Sequence, residues 1–274
     1  MSLKGFTLIE LLVVIAVVGV LAGGGIVLID PVGQLNKAKL AKGKSFHGQL
    51  TRTLGFNAAG TWTFNDASSP GFDTSGSNNH GTVTGATYVP NCDAGFGGCL
   101  SFDGVNDWVD IAQPAIQTSP NVFTVSAFIN PGNQAGSLII TPNSAGIDQW
   151  IQYDATNKRL IVTIAEAGDL NIRARTSTNS SVPLNTWTHW GVSINNLTVK
   201  IYINGTLDST YNESIPIAGW AGNWRIGQRG NSTFWYLGQL DDIQVFGQAL
   251  SAAQIQKLYT QGIVKRYLTL TKNN

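Results

Sequence analysis

The glutamate at position 10 has a chemical problem to solve. It stands inside the run Phe6–Ile29, which is apolar apart from Thr7 and Glu10 itself. A carboxylate at the middle of a bilayer costs about 3 kcal/mol, and a charge kept at that cost usually has a partner. A second group is Cys92 and Cys99, seven positions apart in the glycine-rich stretch NCDAGFGGCLSF. Two cysteines with no nearby His-x-His pattern cannot fill a four-ligand zinc site. They can stay as two buried thiols or close a local disulfide; the disulfide is expected, and it implies an oxidising, extracytoplasmic compartment. A third group is dense in hard oxygen: FDTSGSNNHG, from Phe72 to Gly81, and the carboxylate pair Asp241–Asp242. Those residue types suit calcium, or Asx turns that hold no metal.

Catalytic groups are sparse. Glycoside hydrolysis needs two carboxylates flanking the bond, about 5–9 Å apart. Past the first 55 residues the only glutamates are Glu166 and Glu213, with no Glu-x-Asp-x-x-Glu strand, and the aspartates lie mostly in turns. His80 and His189 have no serine or cysteine arrangement around them that suggests a nucleophile. His189, between Trp187 and Trp190 on an alternating stretch, reads as a packed residue. No enzyme is expected. A glycan site would need exposed aromatics beside hydrogen-bonding groups. GWAGNW (Gly219–Trp224) and GNSTFWY (Gly230–Tyr236) are the candidates, in competition with the demand of the core for tryptophan. Asn-x-Ser/Thr triplets begin at Asn179, Asn196, Asn204, Asn212 and Asn231, matches that arise by chance in so polar a chain.

The elements that must carry these residues divide the chain in two. At +1 and 12% charged residues, the total indicates no nucleic-acid partner. Residues 1–56 carry Lys4, Lys37, Lys39, Lys42, Lys44 and Arg52 against Glu10 and Asp30, while residues 57–274 carry 11 basic and 14 acidic side chains. The apolar run is long enough as a helix, about 36 Å, to cross a bilayer. It continues past a possible signal-peptide cut at Ala22, and only Lys4 precedes it, so an anchor is expected. Gly19, Gly23–Gly25 and Pro31 loosen the helical pattern or let neighbouring helices approach. Leu35, Leu40, Phe46, Leu50 and Leu54 then continue it to about Leu54–Gly55. The lysines of this segment form a solvated face or meet lipid headgroups.

From position 57 the texture changes. VFTVSAFINP, RLIVTIAEAG, NIRARTST, WTHWGVSI, LTVKIYINGTLDSTY and GQLDDIQVFG alternate with a period of two. Asn204–Gly205 and Asp154–Arg159 read as hairpin turns. At least ten short strands with no helix between them predict a β-sandwich.

The opening KGFTLIELLVVIAVVGVLA resembles the N-terminus of type IV pilins and pseudopilins. The resemblance implies a leader, residues 1–5, cut by a prepilin peptidase between Gly5 and Phe6, with N-methylation of Phe6. It implies that Phe6 and Glu10 act in assembly, Glu10 pairing with the new amine of a neighbouring subunit. The implied partners are further copies of the chain in a helical homopolymer, the peptidase and the pilus assembly machinery. The implied locations are the inner membrane before assembly and an extracellular pilus after it.

The blocks from Trp62 to Tyr259, ending in YLGQLDDIQVFGQALSAAQIQKLY, resemble the laminin-G-like, concanavalin A-like jelly-roll domains. The expected architecture is therefore a long N-terminal helical spine (6–55) and an all-β jelly-roll head (57–262). A short C-terminal helix capped by Ser251 and a tail (263–274) complete it. By the same resemblance one structural calcium is assigned to Asp73, Ser75, Asn78 and Asp241. The implied function is a filament subunit with a head that adheres to surface glycans or to proteins of a host or neighbouring cell. The alternatives are a pseudopilin of a type II secretion-like system and a membrane-anchored carbohydrate-binding protein that does not polymerise.

Overall fold

The computed structural model describes residues 58–92, 97–112, 121–134, 137–142, 149–166, 169–218, 223–228 and 234–270. The expectations for the leader, the spine helix, Gly5, Phe6 and Glu10 lie outside these residues. Residues Asn57–Asn274 make up one compact unit.

Fifteen strands are described: β1 (Gly60–Trp62), β2 (Gly81–Thr84), β3 (Thr87–Val89), β4 (Cys99–Asp103), β5 (Trp108–Ile111), β6 (Val122–Pro131), β7 (Ser137–Pro142), β8 (Trp150–Asp154), β9 (Arg159–Glu166), β10 (Asp169–Thr176), β11 (Thr188–Asn195), β12 (Thr198–Ile203), β13 (Thr206–Asn212), β14 (Trp224–Ile226) and β15 (Leu237–Phe246). One helix, α1 (Ala252–Leu270), follows them. The first sheet runs β13-β12-β11-β6-β15-β4-β3, with β1 also paired to β15; the second runs β10-β9-β8-β7-β14-β5-β2. Every pairing is antiparallel, so the head is a two-sheet jelly roll.

Period-two alternation assigns the faces. Along β11, Trp190, Val192 and Ile194 enter the core between the sheets, as do Phe123, Val125, Ala127 and Ile129 of β6 and Trp224 and Ile226 of β14. His189, Gly191 and Ser193 therefore face away from that core, yet they too are buried. Helix α1 covers them. A Cβ on Gly191 would come within 3.3 Å of Ile255, and one on Gly262 within 2.3 Å of the Phe128 ring, so both glycines permit the helix to lie close.

At its start α1 has a reciprocal cap. The Gln254 amide donates to Ser251 Oγ at 3.4 Å, and the Ser251 amide donates to Gln254 Oε1 at 2.8 Å. The helix runs on past the expected boundary at 262/263, to Leu270. Gly262 lowers helix propensity, but GIVKRYLTL contains no proline to stop the ladder.

The free edge of the sandwich is held by ion pairs. Arg175 of β10 donates from Nε and Nη2 to the two oxygens of Glu213, just beyond β13 in the other sheet, at 2.6 and 2.5 Å. Arg173 meets Glu166 at 2.6 Å. Both glutamates of the head thus serve as arginine partners.

Candidate functional site

Two of the groups picked out from the sequence now have a geometry. Cys92 and Cys99 form a disulfide with Cα atoms 5.9 Å apart. It joins the end of the β3 segment to β4 and packs with Phe128, Val89, Trp187 and Tyr259, beneath α1. The disulfide therefore belongs to a small second core on the outer face of the first sheet.

The oxygen-rich loop closes on itself. The Gly81 amide donates to the Gly71 carbonyl at 2.7 Å, so the two ends of the segment meet. Within it the buried Asp73 carboxylate accepts from the amides of Thr61 (2.8 Å), Ser75 (2.9 Å) and Asn79 (2.9 Å) and from Ser75 Oγ (2.9 Å). Four donors match the roughly four lone-pair sites of a carboxylate. Asn78 adopts φ of 59° and is exposed. Asp241 is fully buried on β15, and its Oδ1 accepts from the Asp242 amide at 2.7 Å, where a bulge interrupts the ladder. Among the described residues no three His, Cys, Asp or Glu side chains gather as a metal site. The Asp73 carboxylate as arranged fits the role of a loop staple and does not fit that of a calcium ligand.

The histidines are placed differently. His80 is exposed, stacked on Phe72 at 4.5 Å between centroids, and its Nδ1 accepts from the Asp73 amide. His189 is buried against Phe128 and Tyr259, with Nε2 2.8 Å from Ser126 Oγ.

The site that stands out lies on the outer face of the second sheet. Val109 and Ile111 of β5 enter the core, which turns Trp108 and Asp110 outward; Arg225 of β14 lies directly opposite Asp110. These residues form a closed circuit. Trp108 Nε1 donates to Asp110 Oδ2 at 2.8 Å, and Arg225 Nε donates to Asp110 Oδ1 at 2.7 Å. Arg225 Nη1 donates to Gln228 Oε1 at 2.6 Å, and its guanidinium lies 5.2 Å from the centre of the Trp108 ring. Gln228 pairs through its backbone with Trp235, whose ring returns to Trp108 at 6.0 Å and a tilt of 40°.

The rim is apolar and tied down. Phe234 is 42% exposed and Val105 64% exposed. Gln134 Nε2 donates to the carbonyls of Gly104 (3.0 Å) and Trp235 (3.4 Å), linking the two rim segments. Behind Val105 the Asp107 carboxyl is pushed up by burial and by the charge of Asp103, while accepting the Asp103 amide holds it down. The circuit holds two half-buried indoles and a neutralised charge pair in a fixed arrangement. Of the candidate stretches, GNSTFWY supplies Trp235 to this face, whereas Trp224 of GWAGNW and Tyr236 go to the core. Trp108, Asp110, Arg225 and Gln228 are additions that the sequence did not single out.

Comparison with known proteins bears on both parts of the chain. A family described as the concanavalin A-like lectin/glucanases superfamily matches residues 103–256, more than half of the chain. The chain belongs to that superfamily. A second match, the prokaryotic N-terminal methylation motif, covers residues 2–26, so the chain also carries the type IV prepilin motif. No curated protein matches the chain. Among solved structures, domain 4 of an extracellular arabinanase from Geobacillus stearothermophilus, in complex with arabinotriose, is similar. It has 18% identity and a TM-score of 0.58, over 74% of this chain and 98% of that one. The binding domain of Paraclostridial mosquitocidal protein 1 is similar at 16% identity and a TM-score of 0.60. The botulinum neurotoxin DC binding domain, solved with rat synaptotagmin II, is similar at 17% identity and a TM-score of 0.60. Against these two, matches over 74% and 75% of this chain span about half of their length, 52% each. These likenesses show the jelly-roll fold of the head.

Proposed function

We propose that this protein is a structural subunit of a type IV pilus-like extracellular filament, and that its lectin-like head is the part that binds. The observation that supports this most is the prepilin motif over residues 2–26, with Glu10 in an otherwise apolar run. Cleavage between Gly5 and Phe6 creates an amine, N-methylated in this reading, at the depth of a neighbour's carboxylate. Glu10 then has the partner that a charge in lipid requires. The head has a core of its own and needs nothing from the spine to fold. A precursor can therefore wait in the inner membrane with its head outside, and polymerise through the spine once the peptidase and assembly machinery act. The disulfide suits that oxidising side of the membrane.

The test is to shear surface filaments and identify the chain in them. It should begin at N-methyl-Phe6, and Glu10→Ala should leave the mature protein in the membrane while filament yield falls at least about tenfold, as expected from one unpaired buried charge per added subunit. A mature chain that never enters filaments would sink the proposal and leave a secretion pseudopilin or a non-polymerising membrane lectin.

A further inference from the structure

We infer that Asp107, buried beside the Asp103 carboxylate, is a proton-operated latch on the loop joining β4 to β5. The loop is drawn closed when the pair holds a proton and loosened when both carboxylates are charged.

Hydrogen-bond donors are unequally supplied to the buried aspartates of the head. Asp73 has four donors for its two oxygens, and Asp208 accepts three backbone amides. Asp107 is as buried as Asp208, each 5% exposed, yet it accepts one hydrogen bond, from the Asp103 amide to Oδ2 at 2.7 Å. No hydrogen bond reaches its Oδ1 among the described residues. A Cβ on Gly85 would fall against both this oxygen and the Asn106 carbonyl oxygen, so two acceptors meet at one place. A buried carboxylate with an unfilled oxygen is costly as an anion. A proton on Oδ1 turns one of the two acceptors into a donor.

Charge sharpens the conflict. Asp103 Oδ1 accepts the amides of Val105 (2.8 Å) and Asn106 (3.4 Å), which turns the Asp103 carboxylate back over its own loop. Burial, the largest influence, pushes the Asp107 carboxyl up; the bond from the Asp103 amide holds it down, and the Asp103 charge pushes it up again. No described cation offsets the pair. The β2–β3 turn (Thr84–Thr87), the end of β14 (Ile226–Gln228), Gln134 and Leu237 of β15 adjoin this loop and bring no titratable side chain. Asp107 lies on the side of Val109, whereas Asp110 and Arg225 lie on the outer side of the sheet.

The loop is placed to transmit the change. Its tip, Val105, is exposed, and Gln134 ties its Gly104 carbonyl to that of Trp235. The Asp103 carboxylate that holds its amides is the group a charge on Asp107 repels. A folded-state value above the unfolded one gives stability that is fully present below the unfolded value, about 4, and is lost as pH rises through the folded value.

The experiment follows thermal unfolding of the full-length chain in mild detergent and excess chelator at pH 4 and pH 8. Asp107→Asn keeps an acceptor for the Asp103 amide and offers the Asn106 carbonyl a donor without a charge. It should raise the midpoint at pH 8 by at least about 2 °C, a gain that shrinks to within about 1 °C at pH 4. In an Asp103→Asn background the gain at pH 8 should be at least halved. Exchange protection of the Val105 and Asn106 amides, corrected for the intrinsic pH dependence of exchange, should rise as the wild type is acidified and stay level in Asp107→Asn. A loss, an equal gain at both pH values, a gain untouched by Asp103→Asn, or loop protection indifferent to pH overturns the inference. Near-ultraviolet circular dichroism reads whether Asp107→Asn is folded. If it is not, Asp103→Asn alone carries the test: it should raise the midpoint more at pH 8 than at pH 4, and the absence of that difference overturns the latch.

Discussion

The two outer faces of the sandwich are built from the same alternating strands and end in opposite states. On the first sheet, His189, Ser126, Thr124 and Ser193 face outward but are buried. Each is accounted for under α1: Ser126 meets His189, Thr124 Oγ1 donates to the Gln248 carbonyl at 2.8 Å, and Ser193 Oγ to that of Leu250 at 3.2 Å. The disulfide, Phe128 and Tyr259 fill the space between sheet and helix. On the second sheet, near β5 and β14, the outward residues are a tryptophan, an aspartate and an arginine that satisfy one another and remain partly in solvent. Polar groups on a covered face are spent on the cover. Polar groups on an open face can be fixed by one another without a cover.

Two changes attack the covered face and should leave the open one intact. Gly262→Val sets a side chain against the Phe128 ring, where even a Cβ would come within 2.3 Å. Overpacking of this kind costs about 2–3 kcal/mol, which in a domain this size lowers the thermal midpoint by roughly 5–10 °C. The expected readout is that drop, measured by thermal unfolding. The double variant Cys92→Ser, Cys99→Ser should cost about 2 kcal/mol, since the closed loop is short. A disulfide that mattered only to its own loop would leave exchange protection of α1 unchanged; packing against Phe128 and Tyr259 predicts that protection falls.

How far this contrast was legible in the sequence depends on range. The strands around β6, β9, β11 and β15 follow from period-two alternation, the Asn204–Gly205 turn from local chemistry, and the cap from Ser251 with Gln254 three residues on. The disulfide followed from two cysteines at short spacing. The circuit of Trp108, Asp110, Arg225 and Gln228 did not. Its key contact joins residues 110 and 225, and only the pairing of β5 with β14 puts them opposite each other. The available signal was weak: NDWVDI and NWRIGQ each alternate core and surface residues, with opposite charges on their surface sides. The calcium set was implied by the family resemblance, which cannot say whether a carboxylate will be used by its own loop.

A third change tests an edge between these faces. Asp208 of β13 accepts the amides of Thr178 (2.7 Å), Asn179 (3.1 Å) and Ser180 (2.6 Å). Burial pushes its carboxyl up, but bonds from Ser209, Thr178 and Ser180 together outweigh that and hold it below the ordinary value. A folded-state value below the unfolded one gives stability that is present above the unfolded value, near 4, and is lost as pH falls through the folded value. Asp208→Asn should cost about 1–2 kcal/mol at pH 7 and less at pH 3, where the wild type has already lost part of the advantage. Urea unfolding at the two pH values reads the difference directly; an equal loss at both would mean that charge is not what Asp208 contributes.

The smallest effect is expected from calcium. An ion at Asp73 needs six to eight oxygens at about 2.3–2.6 Å, and both oxygens of this carboxylate already accept two donors each. Binding would turn away at least one buried donor, at about 1–3 kcal/mol. A site that nevertheless bound with a dissociation constant near 10 μM would add about 2.7 kcal/mol at 1 mM calcium and raise the midpoint by several degrees. The arrangement of Asp73 predicts otherwise: midpoints in 1 mM calcium and in 1 mM chelator should agree within about 1 °C. Asp73→Asn, which puts a donor where two donors already point, should lower both midpoints by the same amount. A loss seen only in calcium would return Asp73, Ser75, Asn78 and Asp241 to the role of ligands, and the loop would then depend on an ion for what four hydrogen bonds supply in this arrangement.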